Sequence, residues 1–179
     1  LAVVGFATSS RDLAPWDDDT YDILGLNALF RFIPRADFWC DAHENWNEDN
    51  PVGVDYRAGL LACDVPILMN RTRPELPTSV RLPIERMIEL GSDYFTSTIA
   101  LLIAWAISMK YREVALFGID LVVGTEYESQ KCCAEHWLGI AHGLGITVRL
   151  PPNCALLRAT HRYVYEKEPS WGLVKPSEF

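Results

Sequence analysis

The tetrapeptide Asp41-Ala42-His43-Glu44 carries the densest chemistry in this 179-residue chain. A carboxylate and an imidazole two residues apart can present a general base beside a metal ion or a sugar hydroxyl. The same four residues also suit a solvated loop in an acidic region, and the sequence leaves both readings open. Mg²⁺ asks for only one or two carboxylates plus substrate phosphates, so Asp41 or Asp120 could serve it. No dedicated zinc set is expected, because no second ligand pair stands at a suitable spacing. Walker sequences, nucleophile elbows and Ser/His/Asp triads are absent. His136 falls inside a helical stretch and His142 near its end, where a structural role is expected. His161, with Arg158 and Arg162, forms a small basic cluster that could approach a diphosphate.

The elements that must hold these residues are legible as alternation. Short apolar runs occupy residues 1–5, 21–26, 36–40, 65–69, 113–118 and 146–150. Residues 97–110 (STIALLIAWAISMK) are apolar nearly all round, which predicts a helix buried on several sides. Residues 128–143 predict a second helix, closed by Gly143 and Gly145. The segment 71–86, with Pro74, Pro77 and Pro83, reads as a loop. Strands separated by helices predict an α/β fold: one Rossmann-like domain over residues 1–166, its mostly parallel sheet covered by helices on both faces. Residues 167–179 read as a surface tail.

Parallel sheets bind ligands at the carboxyl ends of their strands. Gly5, Asn27, Asp41 and Asp120 stand where apolar runs give out, and Thr96-Ser97-Thr98 caps the buried helix, so a pocket is expected there. Each signal has a plain competitor. The Gly5-Phe6-Ala7-Thr8-Ser9 turn is either a phosphate cradle or a simple strand-to-helix turn. Asn27 is either a ligand contact or a turn residue, and the Thr-Ser-Thr cap is either capping alone or capping plus ligand.

Composition narrows the partners. Hydrophobic residues make up 49% and charged residues 22%, which excludes disordered and fibrous classes. The net charge of −8 is local: residues 12–55 hold eleven acids against two bases. With no basic stripe, strong nucleic-acid binding is not expected. The longest apolar stretch, residues 99–109, is too short to span a membrane, and no leader is expected from the first residues. Five cysteines with no CxxC spacing predict reduced, mostly buried thiols in a cytoplasmic chain. The oligomeric state stays open.

Five pieces, taken in order, carry a resemblance: LAVVGFATSS, DILGLNALFRF, ADFWCDAHE, FTSTIALLIAWAISMKYREVALFGID and ITVRLPPNCALL. Their order and spacing resemble the nucleotide-binding core of bacterial CMP-sialic-acid-dependent sialyltransferases. They also resemble the 6-hydroxymethylpterin diphosphokinase-like group, with its short phage-encoded relatives. The resemblance spans residues 1–158 and is most specific from Phe95 to Asp120. It implies that Gly5, Phe6, Ala7 and Thr8 line nucleotide phosphates and that Asn27 hydrogen-bonds the nucleotide. It further implies that Asp41 stands where the sialyltransferases place a nucleotide-contacting Asn. Ser97 matches a Ser at the helix start, and Tyr127 a Tyr near the phosphate. Two departures stand out. The turn lacks the family's second glycine, with Phe6 replacing an Asn, and no residue matches the family's catalytic His.

Two function classes follow. One is a transferase using a nucleotide-activated donor of CMP or UDP type, in which Asp41 or His43 is the base. A diphosphokinase-like transfer with Mg²⁺ is its close variant. The other is a non-catalytic nucleotide binder.

Overall fold

In the computed structural model, residues 1–44, 55–121, 127–152, 154–158, 162 and 165 are described. The expected tail, residues 167–179, and His161 lie outside them. The apolar runs become strands β1 (Ala2–Val4), β2 (Ile23–Leu26), β3 (Phe38–Cys40), β4 (Ile67–Met69), β6 (Glu113–Phe117) and β7 (Thr147–Arg149). With β5 (Ser79–Arg81) they form a seven-stranded sheet in the order β5-β4-β3-β2-β1-β6-β7, every pairing parallel. The central strands are apolar on both faces, as a sheet buried on both sides requires.

Successive residues of β3 show what covers each face. Phe38 meets Trp105 edge-on at 5.3 Å, on α3 (Thr98–Ser108). Trp39 points the other way and stacks on Phe30 at 4.3 Å. Phe30 in turn touches Tyr56, the first residue of α1 (Tyr56–Leu61). A strand's side chains alternate between faces, so α3 and α1 lie on opposite sides of the sheet. The α/β expectation with helices on both faces therefore holds.

Helix α3 buries nine of its eleven residues, which matches its all-round apolar sequence. Outside it lies α4 (Tyr127–Gly143), where Trp137 stacks on Phe95 at 5.0 Å and its indole N–H donates to the Tyr94 carbonyl at 2.7 Å. All five thiols are free, and Cys40, Cys133 and Cys154 are buried.

The expected loop over residues 71–86 is corrected. It contains β5 and the start of α2 (Ile84–Ile88). Three residues are too few to show a strand period, and prolines flank them. An edge strand needs ladder bonds on one side only, so Pro77 and Pro83 can bracket it without cost to the sheet. The Ile67 N–H donates to the Thr78 carbonyl and the Leu82 N–H to the Met69 carbonyl, closing that one side.

Candidate functional site

Strand order fixes where a ligand can enter. From β1 the chain runs outward through β2 to β5, then returns across α3 to β6 on the other side of β1. That reversal leaves a crevice at the carboxyl ends of β1 and β6. A cleft of about 690 Å³ occupies it, within the range of small-molecule sites.

Two glycines form its floor. A Cβ on Gly5 would fall 2.5 Å from the Gly118 carbonyl oxygen, and one on Gly118 would fall 2.4 Å from that of Gly5. Gly118 also has φ +64°, a conformation that favours glycine. The Gly5 N–H donates to Phe117, the Ala7 N–H to the Gly118 carbonyl at 2.9 Å, and the Gly118 N–H to Ser10 Oγ at 2.9 Å. Only a 3₁₀ turn, Arg11–Leu13, follows the Gly5 turn. A helix N-terminus that does reach the cleft is that of α3. Ser97 Oγ accepts the Ala100 N–H there at 3.2 Å, and Thr96 Oγ1 donates to the Ser129 carbonyl at 3.0 Å. Thr96, Ser97 and Thr98 all line the cleft.

Asn27 stands at the end of β2 with φ +47°, which Asn tolerates better than most residues. Its N–H donates to the Cys40 carbonyl, and its own carbonyl accepts the Trp39 indole N–H at 3.0 Å. Backbone bonds on both sides thus hold the residue at the cleft wall. Its side-chain Oδ1 is buried with no hydrogen-bond partner. A buried acceptor left open beside a cleft is a place for a ligand donor.

Asp41 continues β3 by one residue, its N–H donating to the Leu68 carbonyl at 3.0 Å. The side chain is wholly buried and does not line the cleft. It acts on its neighbour instead. Asp41 Oδ1 accepts the His43 backbone N–H at 2.9 Å and lies 2.7 Å from His43 Nδ1. His43 lines the cleft with its side chain 60% exposed. The hydrogen bond from Asp41 raises the imidazole above its ordinary pKa, against the opposing effect of partial burial. With Nδ1–H held by the carboxylate, Nε2 is the nitrogen left to accept a proton. Glu44 is drawn away, accepting from Asn70 at 2.6 Å and pairing with Arg71 and Arg73.

The cleft therefore brings together Gly5, Phe6, Ala7, Asn27, His43, Thr96, Ser97, Thr98 and Asp120. Asp120 accepts from Ser9 Oγ at 2.8 and 2.9 Å. Thr8 does not line the cleft. Tyr127 opens α4, and its side chain lies outside the described residues. Arg158 donates to the Pro151 carbonyl, and His136 faces Ser92 at 2.9 Å. Sequence reasoning missed Gly118 and Gln130 in the lining. The Gly-Ile-Asp that follows β6 is a signal for the first; nothing marks the second. Among the described residues no Lys or Arg lines the cleft, and no three His, Cys, Asp or Glu side chains group to hold a metal ion. No helix among them is long and apolar enough to cross a membrane.

No protein-family model matches the chain, and no curated protein sequence matches it. Two solved structures are similar to it in fold. One is the sialyltransferase CstII from Campylobacter jejuni in complex with a substrate analogue, cytidine-5'-monophosphate. Its TM-score is 0.56 at 12% identity, over 88% of this chain and 84% of that one. The other is the same enzyme in complex with CMP-3FNeuAc, with TM-score 0.56 at 11% identity, over 88% and 87%. The chain has a sialyltransferase-like α/β fold.

Proposed function

We propose that the cleft binds a nucleotide-sugar donor of CMP type and that the protein is a glycosyltransferase-like transferase. The observation that carries this reading is the placement of His43, backed by buried Asp41, on a cleft at the β1/β6 reversal. CstII, the structural neighbour, is described with CMP-type ligands. A single carboxylate and no Lys or Arg among the described lining residues favour a donor with one phosphate over a diphosphate. That phosphate would be held by hydroxyls and N–H groups at the start of α3. Where Mg²⁺ joins the phosphate, Asp120 is the lining carboxylate that would hold it.

In the reaction, His43 Nε2 removes the acceptor hydroxyl proton as that oxygen attacks the anomeric carbon. The bond from that carbon to the phosphate oxygen breaks, and CMP leaves with the electron pair. Asp41 stabilises the imidazolium that forms. Incubation of the protein with a panel of nucleotide sugars, followed by nucleotide release, tests this. Slow CMP release in water without acceptor is expected. Tight binding with the donor returned intact would support the non-catalytic reading instead.

Asn27 supplies a binding prediction. Asn27→Gly keeps the left-handed backbone while removing the open Oδ1. Donor affinity should weaken by about 1–3 kcal/mol, the usual worth of a buried polar contact. Titration calorimetry reads this directly, and unchanged affinity would remove Asn27 from the site.

A further inference from the structure

We propose that Tyr56 is a positioning residue for His43, acting through Asp41 as the third member of a Tyr56–Asp41–His43 relay. Two buried polar atoms carry the inference. Asp41 Oδ2 and the Tyr56 hydroxyl are both buried and both lack a hydrogen-bond partner. The residues themselves are 0% and 5% exposed. A carboxylate oxygen cannot stay undonated in such a place without a large penalty, and a phenol is the donor at hand. Tyr56 is held by its own surroundings. Asp55 caps α1 through the Ala58 N–H at 2.9 Å, and the Tyr56 ring packs on Phe30, which stacks on Trp39.

Among the described residues, the titratable groups coupled electrostatically to this carboxylate are His43, Tyr56 and the Cys40 thiol, which burial and Asp41 keep protonated. Burial first, and then the neighbouring charge of Asp41, hold the phenol proton in place as well. Glu44 is engaged by Asn70 and Arg71 and takes no part. The phenol thus locks the Asp41 rotamer that keeps Oδ1 on His43 Nδ1. By sharing the carboxylate's charge it also moderates its pull on the imidazole, so that Nε2 is free to accept a proton near neutral pH.

The relay rests on the reading of His43 as base, yet its test needs no turnover. The His43 titration is followed by NMR in the ligand-free full chain. Tyr56→Phe removes only the hydroxyl and should raise the His43 midpoint by about half a unit, since the carboxylate then acts on the imidazole alone. In an Asp41→Asn background the same substitution should produce no shift, because the link is gone. If Tyr56→Phe does not fold, site-specific replacement of Tyr56 by 3-fluorotyrosine, a stronger donor, should lower the midpoint. An unmoved midpoint in the first variant or the fluorinated protein, or an equal shift in the Asp41→Asn background, overturns the relay. Loss of the base reading would show separately, as His43→Gln with full donor turnover.

Discussion

Asp41→Asn is expected to lower donor turnover by a factor of about 10² or more while leaving nucleotide affinity nearly unchanged. The substitution preserves shape in a site that is wholly buried. Its amide oxygen can still accept the His43 backbone N–H, and its amide nitrogen can face the Tyr56 hydroxyl. What disappears is the negative charge 2.7 Å from His43 Nδ1. The imidazolium formed during proton transfer loses its counter-charge, while the cleft wall, which Asp41 does not form, is untouched. Steady-state kinetics and calorimetry on one preparation separate the two effects. Equal losses of turnover and affinity would mean that Asp41 supports the binding site rather than the base.

The same pair predicts a pH dependence. Asp41 holds the folded-state pKa of His43 above the ordinary 6.5. A base must be neutral, so turnover should fall as pH drops through that raised value, and Asp41→Asn should move the fall to lower pH. Stability follows the opposite course. The charged pair supports the fold fully below pH 6.5, and its contribution fades as pH rises through the folded-state pKa.

Gly118→Ala should destabilise the protein by about 2–4 kcal/mol, combining backbone strain with overpacking. The added Cβ would meet the Gly5 carbonyl oxygen at 2.4 Å and the Ala7 carbonyl oxygen at 3.1 Å. Both are backbone atoms of a turn tied to β6, so neither can swing aside. The φ of +64° strains any side chain there further. Urea denaturation measures the loss. A loss below 1 kcal/mol would show that β1 and β6 are not held in this close approach. Nucleotide binding by the folded variant should weaken too, because the floor of the cleft is where the strands must part.

How much of this was legible in the sequence depended on element length and on neighbours in space. Residues 97–110 announced α3 because eleven helical positions repeat one apolar character, and the central strands showed as unbroken runs. Ser79–Arg81 and Tyr56–Leu61 were silent, since three and six residues carry no readable period. At the site, Asn27 and the Thr96–Thr98 cap could be placed at strand and helix ends. In sequence alone Asp41 reads as a group facing a ligand. Its buried place beside β4, where its N–H meets the Leu68 carbonyl, depends on a strand distant in sequence. Gly118 gains its meaning only from Gly5, 113 residues earlier, which no local pattern reveals.

In the proposed function, a CMP-type ligand occupies the β1/β6 cleft beside His43. Titration of isotope-labelled protein with CMP, followed by backbone amide NMR, tests it most directly. Saturable shifts are predicted at Gly5, Ala7, Asn27, His43, Thr98 and Gly118, all residues lining the cleft. No shifts at millimolar CMP, or shifts clustered away from these residues, would contradict it.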